Sequence, residues 1–393
     1  MTYRTFDGTS QSETVTLGRY SGSRVGVSDG STVQGALYFS DDVDTGIYSP
    51  SNGQIAFSTN GTERLKIDED GAITFTGELS FSDAQFNTVI GTNAGDSFTG
   101  TDATNNTLIG YSAGNEITEG DYNTAVGYNA GKGLTTGNQN VAIGNGALDA
   151  SAGTADFNVA VGYASLGQNT SGHSNVALGH KALKANLTGD NNVAVGLDAL
   201  FDSTGDRNTA IGRQALSNNT VSDNTAVGYR ACQANTSGQK NTGVGTQTLK
   251  TNVDGDNNTA VGYYALYTFE ADADGHGENT AVGSEALYLA STGTQNTAVG
   301  YQALRADCTS NYNTAIGWNA LKFNTSGVFN TAVGGAALDA NVDGGYNSAL
   351  GVNALSTNVS GAYNTAVGYE SLKLSTSSSN TAIGYQSQNK LTS

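Results

Sequence analysis

The chain has 393 residues, room for two or three ordinary domains. Only 13% of them are charged and 37% hydrophobic, against roughly 25% and 45–50% in an average soluble domain. Net charge is −18 with 17 Lys and Arg, which leaves no electrostatic footprint for nucleic acid or an anionic membrane. No apolar run approaches the ~18 residues of a membrane-spanning helix. The first eight residues hold no apolar core of a secretory signal. Low hydrophobicity suggests disorder, but the single proline, Pro50, points instead to backbone hydrogen-bonded nearly throughout, in β structure.

Residues 1–80 open with a polar arm. Strands are expected at 35–39, 46–48 and 54–57; Asn60-Gly61 then makes a hairpin turn into 62–68, and Asp70-Gly71 turns again into 72–75. This reads as a small N-terminal β-meander, with a domain boundary at about 78–86.

From residue 81 a repeat takes over. The motif Asn-Thr-Ala-Val-Gly recurs eighteen times, from Asn87 to Asn380, and eleven of the seventeen gaps are 17 residues. Three gaps are 16, and the others are 18, 19 and 21. The fourth position is aliphatic and the fifth is Gly in every copy. A Gly there suits a bend with positive φ or a close approach. Leu stands eight residues after the Asn in thirteen copies, preceded by a small residue. Segments such as Asn235-Thr236-Ser237-Gly238 read as turns.

A unit of 17 residues is too short for a helical hairpin repeat, which takes ~33–47. It fits one coil of a parallel β-solenoid or β-roll: a short strand, a Gly corner, a second short strand and a turn. The expected fold is therefore all-β, with the meander followed by about 18 coils over 81–388 and a polar tail at 389–393. Stacked at ~4.8 Å, such coils make a rod of about 85 Å. Alternate side chains of the strand face opposite ways, and Thr and Val are expected inside with the Leu. The Ala column then faces outward, flat and small, ready to pack against identical chains. Gly95, Gly114 and Gly131 replace Leu in the first three copies and Gln388 in the last, as expected of the atypical ends of a solenoid.

The segment from Gly35 to Gly77, with Asp44-Thr45-Gly46-Ile47-Tyr48-Ser49-Pro50 and Gly61-Thr62-Glu63-Arg64-Leu65, resembles N-proximal modules of tailed-phage tail fibres, cyanophage ones in particular. The repeat, best preserved at Asn296–Leu304, is common in such fibres and similar to the head repeats of trimeric autotransporter adhesins. The adhesin resemblance implies a homotrimer of left-handed β-rolls. No signal peptide, stalk or membrane barrel of that family is seen, nor the C-terminal chaperone frequent on phage fibres. The resemblance implies a virion fibre made in the host cytoplasm. Residues 1–80 would meet a tail, baseplate or other virion protein, and the rod a host-surface glycan or protein. A bacterial surface adhesin and an ice- or mineral-binding solenoid using the Thr column are the alternatives.

Chemistry is sparse. Gly110-Tyr111-Ser112-Ala113-Gly114 matches a nucleophile elbow, but the next coil reads Asn129 where Ser112 stands, so Ser112 is taken as a corner residue. His173, His180 and His276 lack zinc-ligand spacing, and no acidic column supplies a glycosidase pair. No catalytic residue and no cofactor are expected. Asp254, Asp256, Asp272 and Asp274 resemble fragments of calcium loops without the full loop. Tyr follows the corner Gly in eight copies, with Trp318 in the same column. Tyr263, Tyr301, Trp318 and Tyr369 are the candidates for receptor contact, though such columns also pack coil upon coil. Cys232, at a Leu position, is expected in the core and too far from Cys308 for a disulfide.

Overall fold

The computed structural model describes residues 37–39, 42–76, 83, 85–98, 102–150, 153–270, 276–306 and 308–389. The polar arm, the boundary at 78–82 and all but the first residue of the tail lie outside them. The chain divides into two compact units, 1–80 and 81–393.

The first unit is an antiparallel meander of five strands in sequence order: β1 (Leu37–Phe39), β2 (Asp42–Tyr48), β3 (Ile55–Thr59), β4 (Thr62–Ile67) and β5 (Ile73–Phe75). Its turns follow the sequence. Asn60 and Gly61 both have positive φ, 51° and 65°, the signature of a tight I′ hairpin. At the next turn Asp68 Oδ1 accepts the backbone N–H groups of Asp70 and Ala72. Register brings Leu37, Ile47, Phe57, Leu65 and Phe75 into one cross-strand row, with Ile55, Ile67 and Ile73 in the next. Leu37, Ile55, Phe57, Ile73 and Phe75 are exposed, so this face of the sheet is apolar and not covered by the described residues.

The second unit is an all-β parallel solenoid. Eighteen three-residue strands, β6 (Thr88–Ile90) to β23 (Thr381–Ile383), are one per repeat. Each pairs in parallel with its sequence neighbours, repeat position against repeat position. Among the described residues β6 pairs only with β7 (Thr107–Ile109) and β23 only with β22 (Thr365–Val367), so within them the ladder is open at both ends. The gap of 21 residues changes no register: Thr259 still faces Thr280, and the four extra residues fall outside the strand. The second half of each coil is a series of turns, not the second strand expected.

The corner glycine is required on both counts read from the sequence. Gly300 has φ 132°, and a Cβ there would lie 2.6 Å from the carbonyl oxygen of Gly317 one coil on. L-residues essentially do not adopt that backbone.

The facing of the strand corrects the sequence expectation. The Ala column points into the coil and is fully buried, for example Ala142, Ala210 and Ala298 at 0% exposure. The Thr and aliphatic residues on either side of it are half-buried or exposed in every coil. Leu lies inside, as expected, with the small residue before it. The reason is width. A 17-residue coil closed by tight turns has an interior that takes a methyl from the strand side and one Leu from the opposite side, and no more.

Departures from the pattern obey the same volume rule. Where Gly114 stands for Leu, Leu108 stands for Ala, and a Cβ on Gly114 would meet Leu108 Cδ2 at 2.7 Å and Ile117 Cδ1 at 2.8 Å. Where Gly243 stands for Ala, a Cβ would meet Cys232 Sγ at 2.6 Å and Thr248 Oγ1 at 2.9 Å. The glycines of the first copies thus refill the core rather than merely mark an end. Cys232 is buried in the core and forms no disulfide with Cys308, as expected, and Cys308 is buried as well; burial pushes the Cys232 thiol up to about 12.

Two buried amide columns complete the interior. The repeat Asn accepts the next coil's Asn N–H through Oδ1 and donates Nδ2 to a turn carbonyl fourteen or so residues on: Asn123 N to Asn106 Oδ1 is 2.9 Å, and Asn123 Nδ2 to Gly137 O is 2.7 Å. A second column, including Asn324, Asn341 and Asn358, links side chain to side chain, Asn341 Nδ2 to Asn324 Oδ1 at 2.7 Å. In each of these coils the Asn also closes its own turn, as Asn324 Nδ2 does on Gly327 O. Backbone polar groups buried in a thin core need such partners.

Candidate functional site

No helix among the described residues is long and apolar enough to cross a membrane. The outer columns of the solenoid and the apolar face of the meander are the surfaces on which exposed side chains form regular patterns.

The outer face of the strand ladder carries an aliphatic residue from each of the eighteen coils and Thr from thirteen of them. Ile143, Leu178, Ile211, Ile316 and Leu350 are exposed by about two-fifths to one-half, and no member of the aliphatic column is buried. The ladder makes this an uninterrupted stripe over eighteen coils, far beyond the scattered apolar residues of an ordinary surface.

The aromatic column after the corner Gly is exposed, and part of it stacks from coil to coil. Tyr111 and Tyr128 lie 5.3 Å apart and nearly parallel, as do Tyr369 and Tyr385 at 5.4 Å. His180 occupies the same column and stacks on Tyr163 at 5.2 Å. Tyr301 and Trp318 are exposed on adjacent coils, outside any ring pair among the described residues. Tyr263 belongs to a different assembly. It meets Tyr264 edge-on at 4.0 Å, Tyr264 meets Tyr267, and Tyr267 stacks on Tyr288 at 5.4 Å. Lys250 lies over Tyr267 and Arg305 over Tyr288, each 5.2 Å from the ring centre. Arg305 Nε also donates to Glu285 Oε2 at 2.7 Å, which holds the Glu285 carboxyl below the usual range. The free ring faces are thus largely used within the cluster, which braces the longest coil.

A second aromatic column was not singled out in the sequence. The residue before the repeat Asn is aromatic in four consecutive copies: Tyr312, Phe329, Tyr346 and Tyr363. Their rings stack at 4.8, 5.1 and 5.1 Å with interplanar angles of 2°, 19° and 8°. All four are exposed. Four aromatic residues in register at one repeat position were the signal available.

The turn acids prove to be backbone partners. Asp121 Oδ1 accepts the N–H of Thr104 at 2.7 Å, Asp190 Oδ1 that of His173 at 2.7 Å, and Asp256 Oδ1 that of Gln239 at 2.6 Å. His173 belongs to the same column and accepts the Asp156 N–H on Nδ1 at 3.0 Å. Asp254 lies in the same turn as Asp256, with its Oδ1 buried and unpartnered. Asp272 and Asp274 lie outside the described residues. Among the described residues no three His, Cys, Asp or Glu side chains gather to hold a metal. Ser112 has φ 52° against 54° for Asn129, the same left-handed corner one coil earlier, as its alignment implied.

Comparison with family models, with curated proteins and with solved structures finds no match to this chain.

Proposed function

We propose that the chain is the protomer of a homotrimeric phage virion fibre, made in the host cytoplasm, whose stiff rod serves host attachment. The observation that carries the reading is the aliphatic stripe on the outer strand face. Apolar surface of that length is stabilised by leaving water, and a stripe repeated on identical chains is self-complementary around a threefold axis. This moves the trimer contact from the Ala column to the Val and Thr columns. The uncovered apolar face of the meander, with Phe57 and Phe75 exposed, gives residues 1–80 a docking surface for a tail, baseplate or other virion protein. Rigidity comes from the continuous ladder, and three chains in several fibres multiply weak contacts into avidity.

Sedimentation or native mass measurement of the full chain tests this reading: three chains are expected, and a stable monomer overturns it. Mass spectrometry of purified virions should contain the chain. Recovery from a bacterial outer membrane instead would favour the adhesin alternative, which shares the rod and differs in location.

One observation favours a second reading. The Thr column faces outward in thirteen coils at the ~4.8 Å ladder spacing, as an ice- or mineral-binding face requires. The same face cannot be buried in a trimer and offered to a crystal, so a monomer with thermal hysteresis would replace the fibre reading.

A further inference from the structure

The stacked rings of the solenoid differ in what they can do chemically. Tyr312 stacks on Phe329, but Tyr346 stacks on Tyr363, at 5.1 Å with 8° between the planes. Two further phenol pairs stand in the column after the corner Gly, Tyr111 with Tyr128 at 5.3 Å and Tyr369 with Tyr385 at 5.4 Å. All six paired tyrosines are exposed, from 44% to 73%. The parallel ladder keeps each pair in register, because the strands of the two coils pair position against position.

Two phenols side by side have a reaction that a phenol beside a phenyl ring lacks. Losing one electron and its proton, a phenol becomes a phenoxyl radical with spin on the two Cε carbons. Two such radicals join Cε to Cε, and each ring then passes the hydrogen from the joined carbon to its own oxygen. The pair loses two electrons and two protons in all. Hydrogen peroxide, acting through the haem of a peroxidase, takes them up and leaves as two waters.

We propose that Tyr346 and Tyr363 are an oxidative cross-linking site, which forms a dityrosine bond between consecutive coils of one chain. The new bond lies in the plane of both rings, so the stacked rings must turn edge to edge. Rotation of a Tyr ring about Cβ–Cγ is broadly permitted, and exposed side chains reorient within ps to ns. Once turned, rings centred 5.1 Å apart point Cε at Cε, and the half-width of each ring spans most of the gap. A radical on another chain is met only at bulk concentration, whereas the neighbouring phenol is tethered at a far higher effective one. The bond closes a covalent loop around one coil, a staple of the kind a disulfide gives, in a chain whose two cysteines are free. The pairs Tyr111–Tyr128 and Tyr369–Tyr385 share the geometry and should react likewise.

Tyr312 serves as the internal control. It is as exposed as Tyr346, at 49%, and closely stacked, but its ring partner Phe329 has no hydroxyl to oxidise. Tyr122 is exposed at 59% and stands outside any ring pair among the described residues.

Oxidation of the full chain with a haem peroxidase and hydrogen peroxide tests the site. The product is unfolded, digested with thermolysin, which cuts between the two tyrosines at Leu350 and Leu355, and read by tandem mass spectrometry. Peptides carrying Tyr346 and Tyr363 should be joined, lighter by two hydrogen atoms. They should exceed any joined pair carrying Tyr312 or Tyr122 by at least about tenfold. Phe329→Tyr should bring Tyr312 into the linked set, and oxidation in urea, where the register is lost, should abolish the preference. Tyr346 and Tyr363 left unjoined while free tyrosine dimerises in the same mixture would overturn the proposal. So would Tyr312 linking as readily in the parent chain, Tyr312 staying unlinked in Phe329→Tyr, or a preference that persists in urea.

Discussion

Asn279 Oδ1 accepts the backbone N–H of Asn296 at 3.0 Å, and Asn296 Oδ1 accepts that of Asn313 at the same distance. Each amide also donates, Asn296 Nδ2 to Ser310 O at 2.8 Å. The column therefore needs a side chain that is donor and acceptor at once and carries no charge. Asp cannot donate when ionised, and a carboxylate here would be buried against other oxygens. Asn296→Ala should cost about 1–3 kcal/mol, the price of unsatisfied buried groups. Asn296→Asp should cost more, about 3–5 kcal/mol by analogy with an uncompensated buried charge. Thermal or denaturant unfolding reads both; equal stability of the Asp variant and the parent would refute the ladder's role.

Gly300 and Gly335 make a matched pair. The first has φ 132° with a carbonyl oxygen in the way of any Cβ, whereas a Cβ on Gly335 meets nothing within 4 Å. Gly300→Ala should destabilise by at least about 2–3 kcal/mol from strain alone. Gly335→Ala should be neutral or stabilising by up to about 1 kcal/mol, through the unfolded chain. Similar effects at the two sites would mean that the corner is not set by this contact.

Much of the fold could be read from spacing. The 17-residue period and the Gly column fixed a parallel solenoid, Leu304 and its equivalents lie in the core, and Asn60-Gly61 turns where expected. The facing of the strand was not so readable, because alternation opposes Ala298 to Thr297 and Val299 without saying which side is narrow. The clue lay in paired exceptions: Leu108 in an Ala position accompanies Gly114 in a Leu position, and Gly243 accompanies Thr248. Only residues sharing one tight interior trade volume in that way. The candidate site was less legible. Tyr312, Phe329, Tyr346 and Tyr363 share one column, but that their rings stack depends on the parallel register that brings successive coils into line.

Tyr48 supplies a pH dependence in the meander. Its hydroxyl donates to Glu63 Oε2 at 2.6 Å. Burial first, and the Glu63 carboxylate second, push it from 10.0 up to about 12. Between those values the folded state holds a proton that the unfolded chain has released, so stability falls as pH rises through this window and is unaffected by this group below it. Tyr48→Phe should lose the hydrogen bond at neutral pH and, with it, this part of the alkaline slope. Unfolding of parent and variant followed from pH 9 to 12 checks it; parallel slopes would show that Tyr48 does not titrate with folding.

The corrected facing separates folding from assembly at two adjacent residues. Ala298 is fully buried in the coil, and Val299 lies on the outer stripe. Ala298→Lys forces a long cation into a space shaped for a methyl group and should unfold its coil and weaken its neighbours, whatever the oligomeric state. Val299→Lys leaves the coil's interior intact and places a charge on the stripe of every chain. Three like charges meeting at one level of a trimer repel, so this variant should keep its β circular dichroism while sedimenting as a smaller species. Combining it with the equivalent Val282→Lys should deepen the loss, because the two residues are paired across the ladder. A folded Val282→Lys/Val299→Lys chain that still assembles as three would place the contact elsewhere and return the stripe to solvent.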